Sequence, residues 1–145
     1  MHIITGGAYN GKATWVRNYY QWEKQENGYW FNAYEAEPFP VDLSNAYKMV
    51  VVEGVEQMVF QWMEDKSLDE AREHGREWIR EWIDWECASN GRQLIIIGTD
   101  LSKGIVPMEQ TFRKWRDLTG WLYQDLVEKS DRFDIIWYGI GKQLK

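Results

Sequence analysis

The chain has 145 residues, which is enough for one domain around a single hydrophobic core and too few for two ordinary domains. Apolar residues make up 44% of the sequence and charged residues 28%, so residues 1–145 are expected to fold as one globular domain. The formal net charge of −6 argues against a nucleic-acid partner, because a broad grip on nucleic-acid phosphates needs a cationic face.

Cysteine content and apolar runs indicate where the protein works. Cys87 is the single cysteine and has no partner for an internal disulfide. The first residues show no basic segment followed by a long apolar stretch, and apolar runs such as 94–97 are far shorter than the roughly 20 residues of a membrane helix. We therefore expect a cytoplasmic protein without a membrane partner. Ten tryptophans are many for one small core, so some are expected at a contact between subunits.

In chain order, the first pattern is a short β-branched run over 2–5, followed by a glycine turn and a helical pattern. The turn reads Gly6-Gly7-Ala8-Tyr9-Asn10-Gly11-Lys12, and the apolar residues between Thr14 and Trp22 recur with helical spacing. Such glycines let consecutive backbone N–H groups converge on one anion, and a lysine neutralises the outer phosphates. The segment from Gly6 to Thr14 is therefore predicted to bind the phosphates of ATP or GTP.

The residue after the lysine departs from the full phosphate-loop pattern. That position ordinarily carries a Ser or Thr whose hydroxyl coordinates Mg²⁺, and here it is Ala13. Thr14 lies about 100° further round the helix and is a poor substitute. Ala13 is thus the main argument against efficient phosphoryl transfer, although Mg²⁺ remains the expected metal.

Strands and helices alternate along the rest of the chain. Aromatic or apolar runs predict strands over 29–34, 48–54, 93–98 and 133–138; a capping box at Ser67-Leu68-Asp69-Glu70 begins a long helix ended by Asn90-Gly91, and another helix follows Pro107. This order predicts an α/β, P-loop NTPase-like domain with a largely parallel sheet flanked by helices.

Two acids follow predicted strands on the side where parallel sheets bind ligands. Glu53 ends the third strand and Asp100 follows the fourth, so both are expected near Gly6 and Lys12. A carboxylate there can accept a ribose hydroxyl or order Mg²⁺-bound water. We predict Lys12, Glu53 and Asp100 as catalytic residues, with Glu53 also touching nucleotide and both acids serving the metal.

Several motifs together resemble one enzyme family. They are Gly6-Gly7-Ala8 with Gly11-Lys12, the strand ending in Glu53, Gly104-Ile105-Val106-Pro107, the run from Trp115 to Gly120, Gln124, Asp131 and Gly139-Ile140-Gly141. This set resembles the bifunctional adenosylcobinamide kinase/adenosylcobinamide-phosphate guanylyltransferase family of cobalamin biosynthesis. The resemblance implies a homotrimer that binds a nucleotide and a corrinoid. It also implies phosphoryl transfer to the aminopropanol hydroxyl of adenosylcobinamide, followed by GMP transfer through a histidine-linked intermediate.

The sequence departs from this family where the second activity lies. The nucleophilic histidine of the family precedes the strand that ends in Glu53, and the corresponding stretch here, Ala36 to Tyr47, contains no histidine. The two histidines of the chain, His2 and His74, do not match its position. Because the phosphoramidate intermediate needs an imidazole nucleophile, we expect guanylyl transfer to be lost.

The sequence also fits two other functions. A protein that binds a nucleotide or corrinoid without chemistry would explain Ala13, because losing a metal ligand slows phosphoryl transfer. A different small-molecule kinase on the same fold would also fit, since a fold does not choose its substrate.

Overall fold

A computed structural model describes residues 1–35, 46–104 and 106–145, and these contain six strands and four α-helices. In chain order the elements are β1 (His2–Thr5), α1 (Lys12–Tyr19), a 3₁₀ turn (Trp22–Lys24), β2 (Gly28–Asn32), β3 (Met49–Glu53), α2 (Val55–Trp62), α3 (Leu68–Cys87), β4 (Gln93–Ile97), α4 (Gln110–Lys129), β5 (Arg132–Trp137) and β6 (Ile140–Gln143). Residues 36–45 of the histidine-free stretch and residue 105 of the Gly-Ile-Val-Pro motif lie outside the described residues. Among the helices described, none is long and apolar enough to span a membrane.

The described strands form one sheet in the order β2-β3-β4-β1-β5-β6. The first five strands in this order run parallel, and Ile3 of β1 lies between Ile96 of β4 and Phe133 of β5. The structure therefore confirms the predicted largely parallel α/β sheet. Because β1 is central, the loop that follows it lies over the middle of the carboxyl edge of the sheet.

The strand side chains alternate between two apolar layers. Ile3 and Ile96 face a large core that includes residues of α2, α3 and α4, while Ile4 and Ile97 face a smaller core with Val16 of α1. All five side chains are at most 1% exposed. Helices thus cover both faces of the sheet, and the continuous apolar runs of β3 and β4 follow from this two-sided burial.

The tryptophans of α3 serve the larger core. Trp78 and Trp82 are buried, and their ring centroids lie 6.0 Å apart in an edge-to-face arrangement. This arrangement adds to their burial free energy. Trp137 at the end of β5 is 64% exposed, so it is the tryptophan best placed to meet another surface.

Two elements were not predicted from the sequence. Helix α2 starts directly after β3 and has only eight residues. In the sequence its apolar residues therefore cannot be separated from the apolar run of the strand. The edge strand β6 pairs antiparallel with β5, and all four of its residues are exposed. Tyr138 and Gly139 join them with φ values of 49° and 79°, as a two-residue hairpin turn requires. The predicted last strand over 133–138 accordingly ends at Trp137.

A polar cluster is buried near the amino ends of β1 and β5, opposite the phosphate-loop edge. His2 Nε2 lies 2.8 Å from Asp134 Oδ2, and His2 Nδ1 lies 2.6 Å from the Tyr20 hydroxyl oxygen. Arg132 Nε also donates to Asp134 Oδ2, at 2.6 Å. Burial lowers the pKa of His2, so the imidazole is neutral near pH 7, and the acceptor-only Asp134 carboxylate then requires the proton on Nε2.

We expect the protein to lose stability as the pH falls below about 6.5, the ordinary pKa of histidine. Burial lowers the pKa of His2 in the folded chain, although Asp134 opposes this shift. The unfolded chain therefore binds a proton more readily, and the free energy of unfolding decreases as the pH drops through this window. Urea unfolding at pH 7 and pH 5.5 checks this. His74→Gln should keep the pH dependence, and a midpoint that is constant or rises on acidification would contradict it.

Candidate nucleotide-binding site

The glycine turn after β1 carries the predicted phosphate loop into the first turn of α1. Gly11 precedes the helix with φ 80° and ψ 23°, a left-handed conformation that glycine adopts without strain. The first N–H groups of an α-helix lack intrahelical partners and attract anions. The loop therefore places the unpartnered N–H groups of a helix start at the carboxyl edge of the sheet.

The side chain of Lys12 folds back over this loop. Its Nζ donates to the carbonyl oxygens of Gly7 at 2.9 Å and Gly6 at 3.3 Å. Burial lowers the pKa of Lys12, while the carboxylates of Glu56 and Glu53 oppose that shift. The ammonium group thus lies beside the loop and close to two acids, with neutral carbonyl partners that a phosphate oxygen can replace.

A cavity of about 410 Å³ opens in front of the loop. This volume is within the range of small-molecule sites. Its lining residues come from the phosphate loop, the end of β3 and the end of β4: Ala8, Tyr9, Asn10, Gly11, Lys12, Ala13, Thr14, Tyr34, Glu53, Gly54, Ile97, Gly98 and Thr99. Seven consecutive residues of the predicted phosphate-binding segment therefore share one cavity with Glu53.

The two predicted acids occupy different environments. Glu53 lines the cavity, and its Oε2 accepts a hydrogen bond from Trp30 Nε1 at 2.8 Å. Asp100 does not line it; its Oδ1 accepts hydrogen bonds from the N–H and hydroxyl of Ser102 at 2.9 and 2.6 Å. The backbone N–H of Asp100 donates to the carbonyl of Gly6 at 3.0 Å. Asp100 thus stabilises the turn beside the loop through hydrogen bonds, whereas Glu53 lines the cavity.

The metal-binding capacity of the protein side chains is small in this region. Within the described residues, no group of three His, Cys, Asp or Glu side chains is arranged to hold a metal ion. Ala13 and Thr14 both line the cavity. A hydroxyl-bearing residue at position 13 would therefore also lie at the cavity wall. Of the two acids predicted to serve a metal, Glu53 lines the cavity, and a carboxylate oxygen is the kind of ligand that suits Mg²⁺.

Three residues of this region were missed by the sequence analysis. Tyr34 and Thr99 line the cavity. The carboxylate of Glu56, which is 2% exposed, accepts hydrogen bonds from the Tyr34 hydroxyl and the Thr99 N–H. Glu56 lies in the first turn of the unpredicted helix α2, and Tyr34 follows β2. Their positions after strand ends are the signal that could have identified them, as it identified Glu53.

The two histidines lie outside this cavity. His2 is in β1 near the opposite edge of the sheet, and His74 on α3 packs edge-on against Trp62 with ring centroids 5.0 Å apart. Neither side chain lines the cavity. No imidazole of the described residues is therefore placed beside the phosphate loop.

The central β1, the glycine loop with Lys12 and the helix that follows define an α/β fold of the P-loop NTPase-like class. The model of the family "Cobinamide kinase / cobinamide phosphate guanyltransferase" (CobU) matches residues 33–144, and the chain belongs to this family. Membership links the chain to cobinamide phosphorylation and guanylyl transfer in cobalamin biosynthesis. No individual curated protein matches the chain significantly. The matched range includes Glu53 and begins after the phosphate loop.

Proposed function

We propose that this chain binds ATP or GTP and transfers the γ-phosphoryl group to the aminopropanol hydroxyl of adenosylcobinamide. The observation that carries the proposal is the single cavity shared by the glycine-lysine loop and Glu53 in a member of the cobinamide kinase family. A nucleotide whose phosphates lie on the loop would present its terminal phosphate toward Glu53 and the ends of β3 and β4. The corrinoid hydroxyl would then enter the cavity from that side.

Each element of the site has a distinct task in this proposal. The loop N–H groups and the start of α1 bind the phosphates, and Lys12 neutralises charge that develops on the transferred group. Glu53 would help to hold Mg²⁺, which would supply positive charge to the phosphates. Asp100 remains a second predicted acid of the site, with its main structural contact to Ser102.

We further propose that guanylyl transfer has been lost. The two histidines of the chain lie away from the cavity, and the family's reaction needs an imidazole to carry GMP. Incubation with radiolabelled GTP, followed by denaturation, should therefore leave no label on the protein. A stable protein-bound GMP that survives denaturation would contradict this.

The expected partners are a nucleotide and a corrinoid in the cytoplasm, with neither nucleic acid nor membrane. We also propose the homotrimer that the family resemblance implies. The hairpin residues Trp137, Tyr138 and Ile140 are 64, 80 and 74% exposed, and an exposed apolar cluster of this kind supports an interface between copies. Light scattering of the purified protein distinguishes a trimer from a monomer.

A second candidate function is nucleotide or corrinoid binding without turnover. Ala13 favours it, because an alanine methyl group cannot coordinate Mg²⁺. ADP or GDP release that depends on adenosylcobinamide and Mg²⁺ would exclude this alternative. Nucleotide binding without such release would support it and contradict the kinase proposal.

Replacing Ala13 with threonine tests how much the missing hydroxyl limits the reaction. We expect Ala13→Thr to increase the Mg²⁺-dependent rate about tenfold, equivalent to about 1.4 kcal/mol of transition-state stabilisation. Ala13→Val is the matched control because valine has the same shape without the hydroxyl. Equal rates for the two variants would show that the hydroxyl is not limiting.

A further inference from the structure

A tyrosine that lines the cavity is hydrogen-bonded to a buried glutamate behind it. The Tyr34 hydroxyl donates a short hydrogen bond to Glu56 Oε1, and Glu56 Oε2 accepts the Thr99 N–H at 2.9 Å. Glu56 is 2% exposed, whereas Tyr34 is 55% exposed and lines the cavity. The phenol is therefore the only one of these two side chains that a bound substrate could reach.

The position of Tyr34 is fixed by its neighbours. A Cβ at Gly54, whose φ is +84°, would lie 2.9 Å from the Tyr34 ring, so the ring rests directly on the turn after Glu53. The Tyr34 N–H donates to Asn32 Oδ1 at 3.1 Å, which anchors the backbone after β2. These contacts hold the Tyr34 ring against the turn at Gly54, and both residues line the cavity.

Glu56 has a charge that the surrounding protein does not pair directly. Among the described residues, no Lys, Arg or His side chain lies within ion-pair distance of its carboxylate. Lys12 is the cation on which Glu56 acts, from beyond ion-pair distance, and buried carboxylates without a direct ion pair are concentrated at functional sites. The oxygens of Glu56 accept hydrogen bonds from two neutral donors, the Tyr34 hydroxyl and the Thr99 N–H.

We propose that Tyr34 and Glu56 form a proton relay that accepts the proton of the acceptor hydroxyl during phosphoryl transfer. This inference rests on the kinase function proposed above. Tyr34 is the catalytic residue because its phenol meets the acceptor, and Glu56 acts through it. Partial burial of the hydroxyl and its hydrogen bond to Glu56 raise the pKa of Tyr34, so the phenol stays protonated and passes a proton on rather than serving as a phenolate base.

The step balances without another reactant. The acceptor oxygen forms a bond to the γ-phosphorus while the bond from that phosphorus to the bridging oxygen breaks, and the electron pair leaves with the nucleoside diphosphate. The acceptor proton moves to the Tyr34 oxygen as the Tyr34 proton moves to Glu56 Oε1. Tyr34 is thereby regenerated, and Glu56 becomes a neutral acid that returns its proton to solvent before the next turnover.

Tyr34→Phe, Glu56→Gln and the double variant test the relay through kcat and KM for adenosylcobinamide phosphorylation. We expect each single variant to lower kcat about 10²-fold, with both KM values and nucleotide affinity unchanged. The double variant should be no slower than the singles, because each change breaks the same relay. Matched controls are Tyr29→Phe on β2 and Glu77→Gln on the exposed surface of α3, which should keep full activity.

The outcomes separate this inference from the kinase proposal. If the unmodified protein makes product and Tyr34→Phe is equally fast, or if the two single losses multiply, the relay is wrong and the kinase function stands. If the unmodified protein binds nucleotide but makes no product, the kinase proposal fails and the relay fails with it. Should Glu56→Gln not fold, Tyr34→Phe decides alone, since it removes one oxygen from an exposed ring.

Discussion

Lys12→Ala is expected to weaken ATP and GTP binding by about 10² to 10⁴-fold. Lys12 Nζ has only the carbonyls of Gly6 and Gly7 as hydrogen-bond partners in the described structure, so it is free to turn toward phosphate. Two charge-assisted hydrogen bonds at roughly 1.5 to 3 kcal/mol each account for this range. Isothermal titration calorimetry with each nucleotide measures the change.

A lysine outside the cavity provides the control for this prediction. Lys24 follows α1 on the surface, and its Nζ donates to Gln21 Oε1 at 2.9 Å. Lys24→Ala should bind both nucleotides as the unmodified protein does. Equal nucleotide affinity for Lys12→Ala and Lys24→Ala would show that the loop does not bind the phosphates.

The largest effect on stability is expected from Asp134→Ala. The Asp134 carboxylate is 1% exposed and accepts hydrogen bonds from His2 and Arg132. Its removal leaves the buried imidazole N–H of His2 unpaired, which costs about 1 to 3 kcal/mol, and takes the carboxylate partner from Arg132, whose side chain is 28% exposed. Urea unfolding at pH 7 gives the free energy of unfolding directly.

An exposed aspartate separates this effect from a general loss of charge. Asp84 lies on the solvent side of α3, and Asp84→Ala should change the free energy of unfolding by less than about 0.5 kcal/mol. A similarly small change for Asp134→Ala would mean that the buried cluster is not a stabilising feature. The cluster is remote from the phosphate loop, so folded Asp134→Ala should still bind nucleotide.

The central part of the fold could be predicted because its signals are local. The sequence from His2 to Lys12 contains a strand, a glycine turn and a helix start without interruption, and β4 is a continuous apolar run. The hairpin strand β6 carried no such signal: its residues are exposed, and its place depends on pairing with β5. Helix α2 was not predicted because it has only eight residues and starts directly after a strand, so the helical spacing of its apolar residues repeats too few times to be recognised.

In the candidate site, too, residues could be predicted from local sequence patterns, whereas contacts between residues far apart in the sequence could not. Glu53 could be predicted because a carboxylate after a buried strand lies at the ligand edge of a parallel sheet. The pairing of Tyr34 with Glu56 could not, since it joins residues 22 positions apart through a hydrogen bond that only the tertiary structure defines. Asp100 shows the limit of the strand-end argument, because its carboxylate turns toward Ser102 rather than into the cavity.

In the proposed reaction, the protein transfers a phosphoryl group from a nucleoside triphosphate to adenosylcobinamide within the cavity. Mass spectrometry of adenosylcobinamide after incubation with the protein, Mg²⁺ and either ATP or GTP tests it most directly. We predict a phosphorylated corrinoid that forms with the unmodified protein and is absent with Lys12→Ala. Unchanged adenosylcobinamide in the presence of demonstrably bound nucleotide would contradict the claim.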